Sequence, residues 1–550
     1  MKSWRSAVLL LGLALVACAV AHTAEAASKV SFQLTDVRDL VRLSQPQIAP
    51  DGRHIALIVT HADWKTDKNE PRIELVDVAS GKTRVLTWQR KGIAALQWSH
   101  DGTRLAFLAE AAAPVAAKAG GGAADEAAAG KDAKPKPQVF VMPMDGGDPR
   151  QITQTPRGVA GFAWSPHDTR IAFITEDAPA NAKALAHHDS AFEVTDGNFE
   201  LRNALAPWHL WVVASSGGKA TRLTEGRYSL QTDRQGTPYP AWSADGKQIA
   251  FIRYPGPYWG PSFHSVVDVV DTTGGGPHTL SDQQGAMAVQ YAPGSSARYA
   301  YLRPRNGDEN NGNAVYVGEA GHDRDVTADL ARNIDTYAWM PDGHSLLLSG
   351  ELGTRSVLWL QPLHGKARVL DLGEVNVEDQ PSVARDGAIA FIGSTSTHPD
   401  ELYVLRHAGA PPRRLTDLNA FVDQRLLGRT QSIAWDGPDG FHEDGVLVYP
   451  VHYAAGRRYP LVLVIHGGPE GASTVVFSPL TQLLSAAGFL VFEPNYRGST
   501  NLGDAYQHAI FRDTGEGPGQ DVMAGLAAVE SWASWTRTAL ASAAGATAAT

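Results

Sequence analysis

The apolar run Leu461-Val462-Leu463-Val464-Ile465 ends in His466-Gly467-Gly468-Pro469. Paired glycines at the end of a buried strand let backbone N–H groups approach a ligand closely, and N–H groups aimed at one point stabilise a developing oxyanion. Acyl transfer is the chemistry that uses such a loop, together with an attacking hydroxyl, a base and an orienting acid. Asn495-Tyr496-Arg497-Gly498-Ser499 follows the next apolar run and adds aromatic and cationic side chains. Ser473, Ser478, Ser485 and Ser499 are the nearby hydroxyls, and none has the G-x-S-x-G setting that presents a nucleophilic serine on a sharp turn. With no such elbow, His452, His466 and His508 have no reactive serine upstream to serve as base. The four serines read as loop or helix polar residues.

The elements that would position this loop can be read locally. Residues 461–465 form a continuous apolar strand of the parallel-sheet kind, and ligands meet open α/β sheets at strand carboxyl ends. Strands are predicted over 446–451 and 490–493, with a turn at Asp436-Gly437-Pro438-Asp439-Gly440. A helix is predicted over 521–530, where Val522, Leu526 and Val529 share one face. Residues 425–530 thus read as the first half of an α/β-hydrolase domain. From Ser531-Trp532-Ala533-Ser534-Trp535 the composition changes to Ala and Thr through Thr550.

Upstream, one pattern recurs seven times: a turn around Trp-Ser-x-Asp-Gly, then a short strand of small and branched apolar residues. The copies are centred at Asp51-Gly52, Asp101-Gly102, His167-Asp168, Asp245-Gly246, Pro293-Gly294, Asp342-Gly343 and Asp386-Gly387. A second apolar strand with a Gly-containing turn follows, as in Ile73 to Thr87, Val139 to Thr153, Leu210 to Thr224 and Leu402 to Thr416, and Arg-x-Leu-Thr closes the first and last of these. Asp-Gly supplies a tight turn, and two hairpins make a four-stranded unit that must stack on neighbours to bury its faces. Full-length units run about 50 residues, within the propeller range. Trp98, Trp164, Trp242 and Trp339 are expected to pack between units. The fold class expected is an all-β seven-bladed propeller over 28–424, followed by the incomplete α/β-hydrolase domain.

Composition sets the outer limits. A chain of 550 residues needs at least two cores, and 43% hydrophobic with 19% charged residues is a globular balance. A net charge of −10 without a basic run gives nucleic acid no footprint. Residues 1–27 read as a signal peptide: Lys2 and Arg5, an apolar run from Ala7 to Val20, and Ala24-Glu25-Ala26 for cleavage. That run is too short for a stable membrane span. Soluble export, to a periplasm, is the first reading. A lipoprotein anchored through Cys18 is the second. Cys18 is the only cysteine, so a mature chain cleaved after it has no disulfide, thiol nucleophile or thiolate metal site. Residues 111–137 are Ala/Gly/Lys-rich and read as an unstructured insertion, while 178–207 carry Phe192, Glu193, Phe199 and Glu200 and could reach over a binding face.

Tyr459-Pro-Leu-Val-Leu, His466-Gly-Gly-Pro, Pro494-Asn-Tyr-Arg-Gly-Ser-Thr, Gly503-Asp-Ala-Tyr and Gln520-Asp-Val-Met-Ala-Gly resemble the prolyl oligopeptidase family of serine peptidases, within it the exported dipeptidyl aminopeptidase and acylaminoacyl-peptidase group. The resemblance runs from about Gln47 to Glu530. It implies a propeller that admits short peptides to a Ser-Asp-His triad, with no metal or cofactor. It implies that His466, Gly467 and Gly468 form the oxyanion side and that Tyr496 and Arg497 line the substrate site. Dipeptidyl activity would add acidic groups for the substrate amino terminus, for which Glu193 and Glu200 are candidates. The triad has no counterpart here, so this copy is expected to be inactive. Read one base out of phase with suitable codons, residues 531–550 spell Leu-Gly-Ile-Val-Asp-Pro-Asp-Arg-Ile-Gly-Val-Ser-Gly-Trp-Ser-Tyr-Gly-Gly-Tyr-Met, which is the family's elbow segment. A frameshift shortly after Glu530 is therefore expected, with 531–550 an out-of-frame tail. The rival reading is a periplasmic propeller acting as a peptide-binding or scaffold module.

Overall fold

The computed structural model describes residues 29–111, 134–187, 189, 204–232, 237–468 and 470–545. The signal segment with Cys18, most of the 111–137 insertion, and Glu193 and Glu200 lie outside the described residues. Lys136 and Pro137, expected within the insertion, belong to a strand and pair with Ala111 and Glu110.

Seven antiparallel sheets follow one another along the chain. The first comprises strands Arg42–Ile48, His54–Asp63, Lys68–Asp77 and Thr83–Val85. The others span 94–151, 161–222, 241–281, 287–325, 336–369 and 376–414, the last with five strands and the rest with four. The recurrent turn explains each first hairpin. Gly52, Gly102, Gly246 and Gly343 adopt φ between 63° and 72°, a left-handed conformation that favours glycine. The aspartate before each takes a backbone N–H two residues on, as Asp101 does from Thr103 at 2.9 Å. In the third sheet Asp168 itself holds the glycine position, at φ 57°. Its carboxylate accepts the N–H groups of His100 and Asp101, both at 2.8 Å, and so ties this turn to the preceding sheet. The closing threonine also has a local task. Thr87, Thr153, Thr224 and Thr416 each accept at 2.9 Å an N–H from within the long strand before them, those of Ile73, Val139, Leu210 and Leu402.

Seven apolar clusters lie between the sheets, each drawing on two neighbours: first and second, second and third, and onward. The seventh joins the last sheet to the first, with Val404 and Ala390 beside Ile55 and Val59. This closed ring of meanders fits a propeller. The tryptophans stitch it. The Nε1–H of Trp98, Trp164, Trp242 and Trp339 donates to Gln47, Gln97, Ala163 and Gln290 O respectively, each on the innermost strand of the preceding sheet. Arg104 and Arg170 of the preceding sheets lie over Trp164 and Trp242, 4.9 Å from the ring centres.

The expected propeller start at 28 takes in a segment that packs elsewhere. Val30–Ser31 pairs in parallel with Arg425–Leu426, and both Asp36 oxygens hold Arg425 at 2.8 Å. Phe32 meets Phe477 edge to face at 5.6 Å, so the segment belongs to the second domain's surface.

That domain contains strands β1 (Thr430–Asp436), β2 (His442–Val448), β3 (Tyr459–His466), β4 (Leu490–Pro494) and β5 (Trp535–Gly545), in the order β1-β2-β4-β3-β5. Helices α1 (Pro479–Ala486), α2 (Asp504–His508) and α3 (Glu516–Trp532) accompany them. The strand predicted over 446–451 starts earlier and ends at Val448, and the predicted 521–530 helix is the middle of a longer one. The tail, read from sequence as leaving the sheet unfinished, supplies β5 instead. Its backbone pairs in parallel with β3 from Leu461↔Leu540 to His466↔Gly545, which satisfies an edge that would otherwise be bare.

The indole seam gives a direct expectation. Trp164→Ala should lower unfolding free energy by about 3–5 kcal/mol, whereas Trp164→Phe, which removes the N–H but keeps most of the packing, should lower it by about 1 kcal/mol. Urea denaturation of the two variants measures both, and equal losses would show that the indole bond contributes little.

Candidate active site

β3 delivers His466 and the two glycines to the carboxyl edge of the sheet. Gly468 has φ 132°, and a Cβ there would meet the Glu470 backbone at 2.5 Å, so only glycine fits. The His466 ring stacks on Tyr496, with centroids 4.6 Å apart and planes 14° from parallel. Tyr496 Oη donates to His466 O at 2.8 Å, which locks the loop to the Asn495–Ser499 turn. Burial depresses the His466 pKa, so the imidazole is held toward its neutral form.

The turn is itself anchored from below. Asn495 Nδ2 donates to Asp444 Oδ1 at 2.7 Å, and its Oδ1 accepts Ser473 N–H at 2.6 Å. Arg497 is buried, and its Nε and Nη2 reach Asp521 of α3 at 2.8 and 2.7 Å. Arg497 N–H also donates to Asp521 Oδ2, at 2.9 Å, and Nη1 meets Asp439 at 2.7 Å. This corrects the expectation that Arg497 lines the substrate site: its charge is consumed inside the domain. Tyr496 is likewise buried and serves as the platform for His466.

The hydroxyls fall into place as the sequence reading expects. Ser478 caps α1, accepting Thr481 N–H at 3.4 Å, and buried Ser485 donates to Tyr449 O at 2.7 Å. Ser473 lends only its backbone to Asn495 among the bonds seen. Ser499 is less ordinary, because its Oγ lies 3.0 Å from His466 Nε2. A Ser–His contact invites comparison with a nucleophile and its base. Ser499 is fully buried, however, and its proton is directed to Tyr496 O at 2.6 Å, so it braces the turn. His508 faces Asp308 of the fifth sheet at 3.2 Å, and His452 is exposed.

A cavity of about 410 Å³ opens beside the glycine loop. Gly468, Gly498, Gln507, Phe511 and Arg512 line it, together with Asn310 from a loop of the fifth sheet. The two domains are pinned around it. Arg305 pairs with Asp504, Thr500 Oγ1 donates to Glu351 at 3.2 Å, and Asn376 Nδ2 donates to Val475 O at 2.7 Å. Sequence reasoning missed the carboxyls at this end of the ring. Burial raises the pKa of Asp335, Glu351 and Glu378, and Asp400 is pushed up to about 7, first by burial and then by Glu378 and Glu401. They come from four separate stretches of chain, and no local pattern marks them. Among the described residues no group of three or more His, Cys, Asp or Glu is set to hold a metal ion, and no helix is long and apolar enough to cross a membrane.

The model of the prolyl oligopeptidase family matches residues 475–547. Among similar proteins, dipeptidyl-peptidase 5 of Porphyromonas gingivalis is 24% identical over 517 residues, covering 89% of this chain and 71% of that protein. The uncharacterized peptidase YuxL of Bacillus subtilis is 24% identical over 539 residues, covering 89% and 74%. Among solved structures, Pyrococcus horikoshii acylaminoacyl peptidase superposes with a TM-score of 0.71 at 16% identity, over 92% of this chain and 74% of that one. A puromycin-hydrolyzing peptidase of Mycobacterium tuberculosis gives 0.64 at 17%, over 94% and 76%. Ring, sheet, glycine loop and braced turn therefore stand together with these matches: the chain is similar to the prolyl oligopeptidase family, through the family model over residues 475–547 and through peptidases 24% identical to it.

Proposed function

We propose that this protein derives from an exported serine peptidase that cleaves short peptides, of dipeptidyl-peptidase or acylaminoacyl-peptidase type, built as a seven-bladed propeller over an α/β-hydrolase domain. The names of its relatives and the cavity beside Gly468 support the substrate class. The 550-residue polypeptide itself is inactive in this reading, since the one Ser–His hydrogen-bond contact among the described residues, Ser499 with His466, is buried and its hydroxyl is directed to a backbone carbonyl.

One observation carries the frameshift reading. The out-of-phase translation puts its serine across positions 545 and 546, and β5 runs to Gly545, opposite His466. In-phase decoding would thus place a serine at the strand tip next to the glycine loop, where an attacking hydroxyl and an oxyanion site must meet. The scaffold reading keeps one supporting fact: seven inter-sheet clusters close the ring without help from the second domain.

Two outcomes are expected. A fluorophosphonate probe leaves the purified 550-residue chain unlabelled, whereas a version with the downstream frame restored is labelled and hydrolyses dipeptidyl or acylaminoacyl esters. Labelling of the unaltered chain at Ser499 would overturn the inactivity. Sequencing the coding DNA around codon 531 should show a displaced Gly-Trp-Ser-Tyr-Gly-Gly frame, and its absence removes the frameshift.

A further inference from the structure

Glu443 stands where an apolar residue belongs. On β2, Glu443, Gly445 and Leu447 point to one face by the two-residue period, and α3 covers that face. Leu447 there joins Trp435, Phe492, Leu526 and Val529 in one core, and Glu443 is as completely buried as Leu447. Its Oε2 accepts the Trp435 Nε1–H at 2.6 Å from the paired strand. Its Oε1 has no N–H or O–H donor. The group beside it is another fully buried carboxyl, Asp521, whose two oxygens are already occupied by Arg497. Gly437 is pressed against the same carboxyl, leaving no room for a Cβ between them.

The charges around this point can be counted. Arg497 is the facing cation, Asp521 its buried partner, and Asp439 a half-exposed third group on the far side of the guanidinium. Tyr506 and Asp444 complete the titratable groups close by. Two ionised carboxylates side by side in an apolar core, one of them with an oxygen unpaired, would carry the full penalty of a buried unpaired charge. A single proton removes the repulsion and fills the vacant contact.

We infer that Glu443 is a neutral carboxylic acid in the folded protein and that its Oε1–H donates to Asp521, so that this proton is a structural part of the mount holding the Arg497 turn under His466. Burial first, and Asp521 second, push the Glu443 pKa up to about 8. A raised carboxyl pKa has a definite sign. The stabilisation is complete below the unfolded value near 4.3 and is withdrawn as pH rises through about 8.

Glu443→Gln tests this, because the amide keeps an acceptor for Trp435 and a donor for Asp521 but cannot ionise. The full chain and E443Q are denatured in urea at intervals from pH 5 to 9. The folding constant of the unaltered chain is expected to fall relative to E443Q by about tenfold per pH unit from 5 to 8, then run parallel to it. Trp435 fluorescence should titrate near the same pH in the unaltered chain and not in E443Q. Parallel stability profiles across the whole range would overturn the inference. Should E443Q not fold, infrared spectra of the unaltered chain and Trp435→Phe decide instead. A protonated-carboxyl carbonyl band at pH 7 that shifts on loss of the indole bond supports the assignment, and no shift sinks it.

Discussion

A four-stranded sheet of this chain has two apolar faces and cannot bury either by itself. Everything else follows from that constraint. Each sheet must lie against two neighbours, and a row of such sheets has bare faces at both ends until the last meets the first. The cluster holding Ile55 and Val59 with Ala390 and Val404 is that meeting, made from residues more than 300 positions apart. Closing so long a loop costs little more entropy than closing a short one, because the cost grows only logarithmically with length. The ring then offers one fixed end against which the glycine loop and the braced turn are held.

Within the second domain the decisive arrangement is a stack of dependencies. Asp521 holds Arg497, the Arg497 turn carries Tyr496, and Tyr496 carries the His466 ring. Ser499 joins the same stack through His466 and Tyr496 O. None of these groups is free to meet a substrate, yet each sets where Gly467 and Gly468 lie. Polar residues in a reactive-looking motif can thus be framework, with the reactive geometry belonging to the backbone they support.

What could be read from the sequence was what is local. Asp-Gly turns, threonines closing four of the sheets, and the apolar run before His466 carry their meaning within a few residues. Four of the turn tryptophans were expected to pack between units, and they do. Their indole bonds to a carbonyl one sheet back could not be read, since that partner lies 49 to 79 positions away. Asp168 looked like the aspartate of its turn and proved to hold the glycine position, because His167 filled the earlier slot. Arg497 looked like a ligand contact, as an arginine in a motif often is, and only the placement of α3 shows its charge already matched. The fifth strand was invisible for a different reason. Parallel pairing uses backbone groups alone, so an Ala-rich segment can occupy the edge of β3 without the run of large apolar residues that announces a buried strand.

The pairing of Val30–Ser31 with Arg425–Leu426 has a mechanical meaning. Two crossings of the chain between ring and sheet run side by side there, clasped by Asp36 and Arg425. A single tether would leave the two bodies free to swivel. A doubled one restrains that rotation, and the Arg305–Asp504 pair adds a further tie between the same two bodies.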